Sequence, residues 1–210
     1  MIFGPPVTNA QTIARRIAEN IGLKVPLRED RRGFTSRNGA WTRAILEVLD
    51  GLGAEFQCSS RHELAEGGTE KLYDLIWLGP HGKVLRLAAE IEWKQAPDEI
   101  AYDFEKLLYA KAPIKLLVHQ RQDERTILPL LESTLAGYWG HVEGEEYIVI
   151  QLSDRIDRVG QRRLIAWSFC VPPTSDGKLA EKDVEFRRVA GSPFLWTFPM
   201  QLRPAPGCPS

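Results

Sequence analysis

The sequence reads as an α/β protein with a mixed central β-sheet flanked by helices. Three observations predict this. Apolar residues at helical spacing alternate along the chain with short apolar runs of strand type. Two such runs, 72–78 and 84–92, flank Gly79-Pro80-His81-Gly82, where glycine and proline supply the backbone angles of a reversal. A strand–helix–strand stretch follows, over 84–119, with the length of a parallel crossover.

Ile13, Ile17 and Ile21 recur at spacing four and predict an amphipathic helix that closes at Gly22. Residues 27–39 read as a polar loop carrying Arg28, Arg31, Arg32 and Arg37 around Phe34. Two readings of that loop stand together: arginines that touch phosphates with Phe34 free to stack, or a surface loop whose charge Glu29 and Asp30 dilute. Trp41, Ile45, Val48, Leu49 and Leu52 predict a second helix that Gly51 and Gly53 bring to an end. Residues 54–60 read as a strand, and His62 just beyond it lacks an orienting partner in sequence.

The hairpin strands come next. Pro97-Asp98-Glu99 opens a helix, with proline in the first turn and acids at the positive end of the dipole. Pro113 stops it, and 114–119 reads as a buried strand. Asp103 and Lys106 lie off the Ile100–Phe104 stripe and read as solvated helix charges in preference to the alternative, residues of this helix near a site. A helix over 123–138 and strands over 145–152 and 164–171 follow, joined by a charged linker. From Pro172 onward the chain is turn-rich and reads as a peripheral tail. The expected organisation is one domain: a helix and basic loop over 1–39, a core over about 40–120, an added helix and strands to 171, and the tail.

Composition bounds the function. The chain has 210 residues, enough for one substantial core, with 43% hydrophobic and 26% charged residues. No apolar run approaches a membrane span, and the first residues lack the order of a signal peptide, so a protein without membrane contact is expected. Cys58, Cys170 and Cys208 form no C-x-x-C pair, which argues against a zinc cluster and for a reducing, cytoplasmic setting. A net charge of −1 gives no global attraction to nucleic acid, although a local basic stripe can still hold phosphates. There is no glycine-rich phosphate loop of a nucleotide-using enzyme.

Glu90-Ile91-Glu92-Trp93-Lys94 carries the chemistry. Strand alternation puts Glu90, Glu92 and Lys94 on one face and Ile91 and Trp93 on the other. Such a row of charge at the end of an apolar strand is costly unless compensated, and a divalent cation is one compensation. Asp74 one hairpin earlier, with Glu92-Trp93-Lys94, resembles the D…E-x-K signature of the PD-(D/E)xK nuclease superfamily, without its proline, since Tyr73 precedes Asp74. The resemblance spans about residues 40–120 and implies a restriction-endonuclease-like αβββαβ core.

The resemblance further implies a Mg²⁺ ion, or Mn²⁺, on Asp74 and Glu92, which lowers the pKa of a bound water. It implies that Lys94 orients that water or stabilises the transition state, and that Glu47 on the preceding helix adds an acid. Glu90 ranks behind Glu92. The expected substrate is DNA, with Arg31, Arg32 and Arg37 as binding residues and a homodimer as the arrangement for cutting two strands. The competing expectation is a catalytically inactive protein of the same fold that serves as a binding or assembly module, with Trp139, Trp167 or Trp196 on its partner surface.

Overall fold

A computed structural model describes residues 10–24, 34–62, 72–120, 123–156, 162–174, 176–188 and 194–195. Helices α1 (Ala10–Lys24) and α2 (Phe34–Glu55) precede strands β1 (Ser59–His62), β2 (Leu75–Leu78) and β3 (Leu85–Glu92). Helix α3 (Pro97–Leu108), strand β4 (Ile114–His119) and helix α4 (Glu124–Gly137) follow. Strands β5 (Glu146–Ile156), β6 (Arg162–Cys170), β7 (Arg187–Arg188) and β8 (Phe194–Leu195) complete the order.

The strands form one mixed sheet in the order β1-β2-β3-β4-β5-β6-β7, with β8 also paired to β6. Its first three strands are an antiparallel meander. β3, β4 and β5 run parallel to one another, which requires the crossovers that α3 and α4 provide. β6 returns antiparallel to β5. Alternation along β3 then decides what each face receives. Leu87, Ala89 and Ile91 enter a core beneath α1 and α2, whereas Ala88 enters a second core beneath α3 and α4. The sheet is thus covered on both faces, and Glu90 falls on the α3 side.

Four sequence expectations are corrected. α2 begins at Phe34 and so absorbs Arg37 into its first turns, where a loop was expected. It also continues past Gly51 and Gly53 to Glu55. Gly53 is there for space: a Cβ would stand 2.8 Å from Ser60 Oγ and 2.9 Å from Trp77 Nε1. The Trp77 indole, donating to Leu49 O at 3.1 Å, packs the sheet against this bare turn. The first strand therefore lies later than expected, at 59–62. β2 is shorter than expected, since 72–74 bend ahead of it.

The expected peripheral tail is also corrected. Leu179, Val184 and Phe186 are buried in the α3/α4 core, and β7 extends the sheet. Turn residues mark a chain reversal but say nothing of the apolar side chains between them. The hairpin itself forms as read: Gly79 N–H donates to Val84 O at 2.8 Å, and His81 and Gly82 take positive φ of 68° and 66°.

Candidate active site

The candidate residues gather where β2 begins and β3 ends. Leu75 pairs with Ala89, so the chain just before β2 lies beside Glu90 and Ile91. There the ladder gives way to a side chain, and Asp74 Oδ2 accepts the Ile91 N–H at 2.7 Å. Asp74 is in this way fixed between the levels of Glu90 and Glu92 on the neighbouring strand.

Glu90 is only 2% exposed. Lys106 reaches it from α3, with Nζ 2.9 Å from Glu90 Oε2 and 2.9 Å from Asp103 Oδ1. The other oxygen, Glu90 Oε1, is buried without a hydrogen-bond partner. Burial pushes the Glu90 carboxyl up to about 8; Lys106 opposes this, and the negative charges of Asp74 and Asp103 add to it. Burial works against the Lys106 charge as well, but its bonds to Glu90 and Asp103 outweigh that and hold the ammonium above the usual lysine range.

Glu92 is half-buried, and burial raises its carboxyl despite the bond it accepts from the Lys94 N–H; a hydrogen bond with the Asp103 carboxyl raises it further. Tyr73 closes the group from the side, its hydroxyl donating to Lys106 O at 3.4 Å. Asp74, Glu90, Glu92 and Asp103 thus share one short stretch of the sheet and α3, with Lys106 among them and Lys94 at their edge.

Lys94 stays beside Glu92 and Asp103, whose charges act on it, and the other sequence candidates lie elsewhere. The Lys94 ammonium pairs with Glu99 Oε1 at 2.9 Å, and its side chain is 65% exposed. Glu47 is exposed on α2, a helix packed on the opposite face of the sheet from Glu90. Arg37 is in α2, while Arg31 and Arg32 lie outside the described residues. Of the tryptophans proposed for a partner surface, Trp139 is exposed, Trp167 is buried, and Trp196 lies outside the described residues.

Three residues escaped the sequence reading. Asp103 and Lys106, read as solvated, face Glu90 and Glu92. Their positions relative to the apolar stripe gave no such signal, because the four-carbon lysine stem reaches across the stripe's edge. His62, read as unpartnered, pairs with Asp50 Oδ2 at 2.9 Å. One further feature was legible only from register: Glu92, His119 and Gln151 sit side by side across β3, β4 and β5, and the latter two are buried. This is the carboxyl end of the parallel strands, where open α/β sheets hold their ligands.

Among the described residues, no group of three His, Cys, Asp or Glu side chains is placed to hold a metal ion. The donor chemistry does suit magnesium, which takes one or two carboxylates and keeps several waters. The unpartnered Glu90 Oε1 and the crowded acids around it are groups that a cation would relieve.

No family model, curated protein or solved structure matches this chain. Among the described residues, no helix is long and apolar enough to cross a membrane.

Proposed function

We propose that the protein is a Mg²⁺-dependent nuclease of restriction-endonuclease-like fold that hydrolyses phosphodiester bonds of DNA. The observation that carries this reading is Asp74 held against β3 between Glu90 and Glu92, with a lysine facing the acids. The run α2-β1-β2-β3-α3-β4, an antiparallel meander followed by a parallel strand, supports it, since it is the αβββαβ order that the sequence resemblance implies.

In this reading Asp74 and Glu92 hold the cation, with Glu90 beside them. The ion supplies Lewis acidity and a water of lowered pKa. The chain's own residues do the rest. The Ile91 amide fixes the Asp74 carboxylate. Lys106, in contact with Glu90 and Asp103, is the group we assign to the developing charge on phosphate; Lys94 also places charge near Glu92 and Asp103, but its ammonium is paired with Glu99.

A second reading rests on the same lysine. Lys106 already compensates Glu90 and Asp103, which suits an inactive protein of this fold that binds or assembles. Cleavage separates the two readings. DNA is incubated with Mg²⁺ or Mn²⁺, with EDTA as control, and wild type is compared with Lys94→Ala and Lys106→Ala. The first reading expects metal-dependent cutting that Lys106→Ala abolishes and Lys94→Ala largely keeps. Absence of cutting by folded wild type favours the second.

A further inference from the structure

We propose that exposed Tyr102 of α3 and Tyr109 at its end, continued by Trp139, form a stacking track for unpaired bases, so that the nucleic acid reaching the site is single-stranded or has an unpaired end. This rests on the nuclease reading of the acids. Tyr102 on α3 and Tyr109, the residue at its C-cap, are seven residues apart, two turns of helix, and therefore lie along one side of it about 10 Å apart. They are 62% and 71% exposed. Between them lies Lys106, whose Nζ is 6.0 Å from the Tyr102 ring centroid and in contact with Glu90, so the stripe runs beside the candidate site.

The rings continue beyond α3. Tyr109 meets Tyr138 edge-on, with centroids 5.5 Å apart and planes at 88°. The next residue is Trp139, 69% exposed, with Lys178 Nζ 3.2 Å from its ring centroid. A scattered exposed aromatic needs no explanation. Here, with Tyr73 against the Lys106 carbonyl, four of the chain's five tyrosines flank one side of the candidate site.

Charge decides the class of ligand. Asp98, Glu99 and Glu105 offset the exposed lysines of this flank, and the chain carries a net charge of −1. Phosphate neutralisation, the main source of affinity for duplex, is therefore weak here. Ring stacking adds affinity to what the few lysines of this flank supply, and it needs base faces that a duplex keeps covered.

The test is fluorescence anisotropy of a labelled short oligothymidylate and of a blunt duplex of the same length. Both are titrated with the full chain in EDTA, using wild type, Tyr102→Ala, Tyr109→Ala and Trp139→Ala. The track predicts tighter binding of the single strand and roughly ten-fold weakening in each variant, the size of one lost base–aromatic stack. Because the three side chains are exposed, melting temperatures stay at the wild-type value.

Equal or tighter binding of duplex, or variants that bind like wild type, overturns the proposal. So does the absence of binding to either probe, including the case where the variants lose only self-association, which would mark the flank as a protein interface. Since EDTA removes any metal, binding is read apart from catalysis. Aromatic-dependent binding without any cutting when metal is restored would sink the nuclease reading alone.

Discussion

Burying Glu90 beside Asp74 and Asp103 creates a linkage between folding and pH whose sign is defined. The carboxyl rises from an ordinary 4.5 to about 8 in the fold. A group with a raised folded pKa contributes stability that is fully present below the unfolded value and is lost as pH rises through the folded one. Urea midpoints of wild type should therefore fall between pH 5 and pH 9, and Glu90→Gln should flatten that slope. An identical slope in the variant would contradict the placement of Glu90. Lys106→Met removes the facing cation and should cost about 1–3 kcal/mol, more at pH 9, where Glu90 is charged, than at pH 5. At this scale the sequence was informative about strand residues and poor about helix residues. Period-two alternation separates Glu90 and Glu92 from Ile91 and Trp93 without ambiguity. On α3, the orientation of Lys106 depends on where its long stem ends, and no spacing records that.

Helix α2 shows what punctuation residues can and cannot say. Gly51 and Gly53 both look like helix stops, yet they have different surroundings. A Cβ at Gly51 meets nothing within 4 Å, so Gly51→Ala should stabilise by about 0.5–1 kcal/mol through helix propensity. At Gly53 the Cβ would press on Ser60 Oγ and the Trp77 ring, and Gly53→Ala should destabilise by about 1–3 kcal/mol. Denaturant midpoints of the two variants check this directly; equal shifts of the same sign would refute the assigned role of Gly53. The hairpin and the β3-α3-β4 crossover were legible because turn chemistry, the first-turn proline and acids of α3, and periodicity agree there. The bounds of α2 and β1 were not, because a glycine required by close approach across the sheet looks, in sequence, like a glycine that ends a helix.

For the whole molecule, the layer of α3 and α4 depends on chain that follows the last long strand. Phe186 meets Phe104 and Phe169 at ring-centroid distances of 6.3 and 6.1 Å, and its amide donates to Glu132 Oε1 at 3.0 Å. Phe186→Ala should cost about 3–5 kcal/mol, and a chain cut at 171 should lose cooperative unfolding. Retention of a sharp transition by the shortened chain would contradict this closure of the core. The same layer presents Lys106 to β3, so the candidate site depends on the complete fold. The most direct test of the account is cleavage of supercoiled plasmid and circular single-stranded DNA in Mg²⁺ or Mn²⁺ by wild type, Asp74→Asn, Glu92→Gln and Lys106→Ala, with circular dichroism to verify folding. Wild type should cut in a metal-dependent manner, stopped by EDTA, with cutting reduced at least about a hundred-fold in each variant. Cutting at equal rates by folded variants, or none by folded wild type on either DNA, would contradict it.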